Sequence, residues 1–144
     1  MPSFERSVLL PYPAGSVFTL VNDVARYGEF VPGVRYAEVL ESDATSMVAR
    51  LDLEAPGRRE TLVTCNTFPD EERISVSLVS GPFKHFSGQW RFQALSDVGC
   101  RVSLVVDFEL DSRIAAAVMG PFFNRIVDSL VDAFSSRARA MLGT

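Results

Sequence analysis

Ser77-Leu78-Val79-Ser80-Gly81-Pro82-Phe83-Lys84-His85-Phe86-Ser87-Gly88-Gln89-Trp90-Arg91-Phe92 reads as strand, tight turn, strand. Before the turn, Ile74, Val76 and Leu78 alternate with Ser75 and Ser77. After it, Phe86, Gly88, Trp90 and Phe92 alternate with Ser87, Gln89, Arg91 and Gln93. A period of two gives each strand one apolar face. Gly81-Pro82 supplies the bend, because glycine reaches unusual φ values and proline fixes φ and lacks a donor. Gly88 interrupts an aromatic inward face, and its missing side chain leaves room for a bulge, a bend or a ligand.

The same alternation extends outward from this hairpin. It predicts strands at Ser3–Leu10, Val34–Glu41, Ser46–Leu53, Glu60–Phe68, Arg73–Val79, Lys84–Leu95 and Arg101–Leu110. Turn-like separators lie between the later ones: Glu41-Ser42-Asp43-Ala44, Ala55-Pro56-Gly57, Pro69-Asp70-Glu71-Glu72 and Ser96-Asp97-Val98-Gly99. Separators this short favour antiparallel hairpins. After the first strand, Pro11-Tyr12-Pro13 leads into a short helix at Ala14–Asn22. Asp23 is a candidate cap for a second short helix, which Pro32-Gly33 closes.

The period changes in the last third. Ile114, Val118, Phe122, Ile126, Leu130 and Phe134 recur every four residues, and Met119, Phe123, Val127 and Val131 widen the stripe. This predicts a long amphipathic helix from about Ser112 to Leu142, with Ser112 as its cap. Pro121, after Gly120, should kink or break it. The expected class is α+β: a curved antiparallel sheet wrapped around one long helix, with two short helices after the first strand. At 144 residues the chain is read as a single domain spanning 1–144.

Composition narrows the function. A formal charge of −4 argues against broad nucleic-acid binding, and no DNA partner is expected. Local basic pairs remain at Arg58-Arg59 and Lys84-His85. Met1-Pro2-Ser3-Phe4-Glu5-Arg6 shows no basic segment followed by an apolar run, and no uninterrupted apolar stretch approaches the ~20 residues of a membrane span. Cys65 and Cys100 have no metal-like spacing and read as free thiols in a reducing compartment. No metal site is expected.

Catalytic signals are thin. His85 is the single histidine and lies in a turn, without an evident partner to position it as a general base. Asp107 and Glu109 alternate with Val106, Phe108 and Leu110, which points them at solvent. Asp128 and Asp132 share a helix face and read as partners for Arg125 or Arg139. Ser129, Ser135 and Ser136 lack a nucleophile-elbow context, and no phosphate-loop, zinc-protease or paired-cysteine motif occurs. Asn22 and Asp23 read as cap and turn residues between the short helices. No catalytic residue is assigned.

Several segments, in order, carry a family resemblance: Leu10-Pro11-Tyr12; Leu20-Val21-Asn22-Asp23-Val24 with Tyr27 and Phe30-Val31-Pro32-Gly33; Ser77 to Lys84; Gly88-Gln89-Trp90-Arg91-Phe92; Val106-Asp107-Phe108-Glu109; and the terminal helix. Together they resemble the coenzyme Q-binding and ribosome association toxin family of the START-like (polyketide cyclase/dehydrase) superfamily. The resemblance covers almost the whole chain. It implies a helix-grip fold, a seven-stranded sheet gripping the C-terminal helix with an apolar cavity between them. It also implies that Tyr12, Tyr27 and Phe30 lie near the cavity's portal.

Phe86, Trp90, Phe92 and Phe108 on the strands, with Met119, Phe122 and Phe123 on the helix, either line such a cavity or fill a core. With Phe30 they form the candidate ligand-binding set. The resemblance implies a non-catalytic carrier or chaperone for a polyprenyl quinone or similar lipid in respiration. Ubiquinone is the implied ligand, and no cofactor is required. As the alternative to the carrier, it implies a toxin-like factor that binds the large ribosomal subunit and blocks subunit association. A cyclase or dehydratase is the weaker, enzymatic reading. The expected location is cytoplasmic, with transient peripheral contact at the inner membrane.

Overall fold

The computed structural model describes residues 3–55, 58–70 and 72–143. Pro56-Gly57 and Glu71, parts of two expected turns, lie outside the described residues. The chain forms β1 (Ser3–Leu10), α1 (Ala14–Asn22), a 3-10 helix (Val24–Glu29), β2 (Val34–Ser42), β3 (Ser46–Ala55), β4 (Arg58–Asp70), β5 (Arg73–Ser80), β6 (Phe83–Ser96), β7 (Gly99–Leu110) and α2 (Arg113–Leu142). The strands make one curved sheet in the order β1-β7-β6-β5-β4-β3-β2. Every neighbouring pair is antiparallel. Most expected strand ends extend by one or two residues, because ladder pairing continues into the hairpins.

Among the described strands, β1 and β2 are the edges, and α1 with the 3-10 helix connects them. The connection therefore crosses from one side of the sheet to the other, over the concave face that α2 also covers. The hairpin quoted above sits at the centre of the sheet. Gly88 pairs with Val76 on β5 and Val106 on β7, with no register shift beside it. Trp90 pairs with Ile74 and Leu104. The missing side chain at Gly88 therefore makes no bulge; it leaves space above the sheet.

Gly81 does not use its conformational freedom either. Among the described residues, positive φ occurs at Gly33 (88°) and Gly143 (84°). At Gly81 the constraint is proximity, since a Cβ would lie 3.0 Å from Leu62 Cδ1.

Ser112 caps α2 as expected: its Oγ accepts from the Ala115 N–H at 3.0 Å. The helix then runs without a break through Pro121. Its buried stripe is Ala115, Met119, Phe123, Val127, Val131, Phe134 and Ala138, whereas Ile114 and Val118 are 77% and 57% exposed. The cause is geometric. Ile114 and Val118 sit about 100° around the helix from Ala115 and Met119, so where the latter face the core the former face water. α2 is long and apolar enough to cross a membrane by length and composition, although Arg125 and Asp128 interrupt its apolar run. Here it packs on β1, β7 and α1.

Two electrostatic expectations change. Asp23 makes no side-chain cap; its carboxylate pairs with Arg26 at 3.4 Å, and the turn that follows is 3-10. Asp128 and Asp132 reach across to Arg6 on β1 rather than to a neighbour on their own helix. Arg137 ties α2 to the 3-10 helix: it bonds Glu29 at 2.9 Å, and its guanidinium lies 4.7 Å over the Phe30 ring.

Candidate functional site

Between α2 and the concave face lies a cavity of about 120 Å3. Its floor is the middle of the sheet: Leu62, Thr64 and Asn66 on β4, Val76 on β5, Gly88 and Trp90 on β6, and Leu104 on β7. Its roof is Phe123, Ile126, Val127 and Leu130 on α2. Val21, Asn22, Val24 and Tyr27, from α1 and the 3-10 helix, close one end. Period-two alternation puts each of these strand residues on the inward face. The hollow exists because this part of the floor carries one glycine and several short or branched side chains.

Gly33 fixes the roof. Its φ of 88° turns the chain from the 3-10 helix into β2, and a Cβ there would sit 2.8 Å from Ile126 Cδ1. The backbone thus touches a cavity-wall side chain directly, which only glycine permits at this φ.

The wall is apolar except for a few groups. Thr64 Oγ1 donates to Asn66 Oδ1 at 3.0 Å, and both residues are buried. Asn22 Oδ1 is buried with no hydrogen-bond partner among the described residues. The Tyr27 hydroxyl donates to the Val21 carbonyl. Its ring packs edge-on against Phe134 and Phe30, at 5.2 and 6.1 Å between centroids. Burial, helped by the nearby negative charge of Asp23, raises the Tyr27 phenol well above its ordinary range. Among the described residues Tyr27 is the one titratable group on the wall, and it stays neutral. The arrangement suits holding an apolar molecule with a few hydrogen bonds.

Of the candidate set, Phe86, Trp90 and Phe123 stand on the cavity wall. The other five lie elsewhere. Phe92 is fully buried beneath Phe18, 5.4 Å between centroids. Phe108 and Met119 are buried at the far end of the interface, where Phe108 packs against Phe4, Phe83 and Phe123. Phe122 is half-buried beside Phe123 and Gly33. Phe30 packs on Phe134 at 5.2 Å, outside the wall. Tyr12 reaches away from the cavity and bonds the Gly143 carbonyl beyond α2. The wall residues Thr64 and Asn66 were not singled out beforehand. Their signal was a polar side chain at an inward parity position of β4.

Other candidate chemistry stays apart. His85 is exposed on β6, opposite Glu109. Cys65 is half-buried on β4, Cys100 is buried on β7, and both are free thiols. Burial raises the Cys100 thiol above its usual range. Among the described residues, no cluster of three histidine, cysteine or carboxylate groups could hold a metal. On the outer face of the sheet, Arg73 lies opposite Arg91 in register, and Arg101 joins them in one groove with Glu5, Ser7, Gln89 and Ser103.

The chain belongs to the polyketide cyclase/dehydrase and lipid transport family, whose pattern matches residues 10–135. It is 39% identical over 143 residues to a protein of Vibrio cholerae named ribosome association toxin RatA, covering 99% of both chains. It is 25% identical to the mitochondrial coenzyme Q-binding protein COQ10 of Drosophila melanogaster, covering 97% of this chain and 60% of that protein. The Zhui aromatase/cyclase from Streptomyces superposes with a TM-score of 0.85 at 20% identity, covering 99% of each chain. That likeness shows the START-like helix-grip fold.

Proposed function

We propose that this chain is a binding protein that takes up a small apolar molecule between the sheet and α2. The observation that carries this is the cavity itself: about 120 Å3, apolar on nearly all sides, with neutral Tyr27 as its one titratable residue. Of the groups that general acid–base chemistry uses, the wall offers Tyr27, and its hydroxyl is engaged with the Val21 carbonyl. The family description and the coenzyme Q-binding relative support a lipid or quinone ligand. The volume sets a limit on that ligand. It lies below the ~300 Å3 at which drug-sized pockets begin. A polyprenyl quinone would seat one ring or a short piece of its tail here and leave the remainder outside, at a membrane surface or along the portal. Gentle purification, organic extraction and mass spectrometry test the reading. A stoichiometric apolar compound is expected. An empty protein that also takes up no quinone or small aromatic from solution would overturn it.

A second reading is favoured by a different surface. Relatives alike over their whole length carry the ribosome association name. The outer groove offers Arg73, Arg91 and Arg101, and of these Arg91 and Arg101 have no ion-pair partner among the described residues. Guanidinium forks match phosphate geometry, so this face suits the RNA backbone of a large ribosomal subunit despite the overall charge. Co-sedimentation with purified large subunits tests it. Arg91→Glu with Arg101→Glu is expected to weaken binding at least tenfold. Binding that neither the double substitution nor added salt weakens would exclude this face.

A further inference from the structure

We infer that the molecule held in the cavity carries a hydroxyl group, and that Asn22 is the residue that receives it. The inference rests on the reading of the cavity as a ligand site and adds the ligand's chemical class. Its starting point is a deficit. Asn22 Oδ1 is buried at the closed end of the cavity and accepts no hydrogen bond among the described residues. Folded chains satisfy nearly all such atoms, and each exception calls for a cause.

Two nearby hydroxyl donors are already engaged. The Tyr27 hydroxyl donates to the Val21 carbonyl, and Thr64 Oγ1 donates to Asn66 Oδ1. No donor among the described residues reaches Asn22 Oδ1, which leaves this acceptor open to a bound molecule.

The same corner also offers a donor. Asn66 Oδ1 accepts from Thr64, and its amide N–H groups make no hydrogen bond among the described residues, so they are open to a ligand. Asn22 and Asn66 belong to one end of the cavity. Phe18, one turn before Asn22 on α1, packs edge-on against Phe68, two residues from Asn66 on the same face of β4. A hydroxyl matches this pair, because it donates one hydrogen and accepts at its oxygen. A quinone carbonyl or an ether only accepts, and would leave Asn22 Oδ1 bare. A hydrocarbon would leave both bare. The rest of the wall is apolar and admits something about the size of one substituted ring, so the fitting class is a phenol, a hydroquinone or a compact alcohol.

Three probes of nearly equal shape separate these possibilities: p-cresol donates and accepts, 4-methylanisole only accepts, and p-xylene does neither. Titration calorimetry or ligand-observed NMR on the full chain reads their affinities. Without a waiting acceptor, p-cresol is the poorest binder against p-xylene, because its hydroxyl must be stripped of water. With Asn22 in place it is expected to bind at least tenfold more tightly than either of the others. Asn22→Leu, checked for folding by circular dichroism, is expected to abolish that preference while p-xylene binding persists. Should Asn22→Leu not fold, the ranking in the unaltered protein still decides. Equal affinities, or p-xylene ahead, would overturn the hydroxyl inference and leave the carrier reading standing. Failure of all three to bind would overturn both.

Discussion

The two ends of the sheet–helix interface are built from the same strands and the same helix, yet one is solid and the other hollow. At the solid end, Phe83 lies 4.8 Å from Phe123, 5.2 Å from Phe86 and 5.8 Å from Phe108, and Phe4 stacks on Phe108 at 5.8 Å. Met119 is buried among them. At the hollow end, Gly88 stands where the alternation would place another large side chain, with Thr64, Asn66 and Val76 around it. Aromatic side chains close space; a cavity opens where small and branched ones meet. An aromatic-rich inward face is thus a guide to where the interface is, and a poor guide to where it is empty.

The comparison breaks most sharply at the solid end. Phe108→Ala removes a fully buried ring and is expected to cost about 3–5 kcal/mol in urea unfolding, the range for aromatic truncation in a packed core. Ligand binding at the hollow end should persist in the fraction that folds. A loss below about 1 kcal/mol would mean that this end is not packed as described. Next in size is Gly33→Ala. The φ of 88° costs a side-chain-bearing residue about 1–2 kcal/mol, and the new Cβ must push Ile126 aside. Because Ile126 forms part of the roof, ligand affinity should fall along with stability. A change in stability with no change in affinity would detach Gly33 from the site.

These contrasts explain what the sequence revealed and what it did not. Strand positions were legible because period two survives along most of the sheet; it breaks at register shifts, as in β2 between Val34 and Tyr36. The helix was legible in its extent and its Ser112 cap. Its core face was legible in Met119, Phe123, Val127, Val131 and Phe134, whereas Ile114 and Val118, read into the same stripe, face water about 100° away. On the cavity wall, Phe86, Trp90 and Phe123 were legible, as was the gap at Gly88. Phe92 and Phe108 lie on the same inward face but are claimed by Phe18 and Phe83, which only the register and the placement of α1 reveal. Thr64 and Asn66 were visible in principle as polar residues at inward positions. Asn22 was not, because a cap residue and a ligand acceptor look alike until the surrounding donors are known.

Gly88→Val converts the hollow end into a copy of the solid one. A Cβ at Gly88 meets Val76 Cβ at 3.6 Å and Val106 Cγ2 at 3.8 Å, ordinary contact distances, so the added methyls enter the cavity without forcing the strands apart. β-Branched residues also favour strands. The expected outcome is a gain of about 0.5–2 kcal/mol in stability, typical of cavity filling, together with loss of small-molecule uptake at the cavity. Stability and function would then move in opposite directions at one residue. A destabilised variant would show that the space is not available to a side chain.

The smallest effect near neutral pH tests how dry the closed end of the cavity is. The folded protein holds the Tyr27 phenol far above its ordinary value near 10, mainly through burial. Below pH 10 the phenol is neutral in both folded and unfolded chains and contributes no pH dependence. Above pH 10 the unfolded chain loses this proton and the folded one keeps it. Stability must then fall as pH rises, by at most about 1.4 kcal/mol per unit from this group. Tyr27→Phe removes the titration. It also removes the bond to the Val21 carbonyl, a loss of about 0.5–1.5 kcal/mol that is the same at every pH below 10. Urea unfolding of both proteins from pH 8 to 11 separates the two contributions. The variant should start lower and then lose stability less steeply, so that the curves converge toward pH 11. Parallel curves would mean that water reaches the Tyr27 hydroxyl. The closed end would then be wet, and Asn22 could meet its hydrogen-bonding needs from solvent instead of from a ligand.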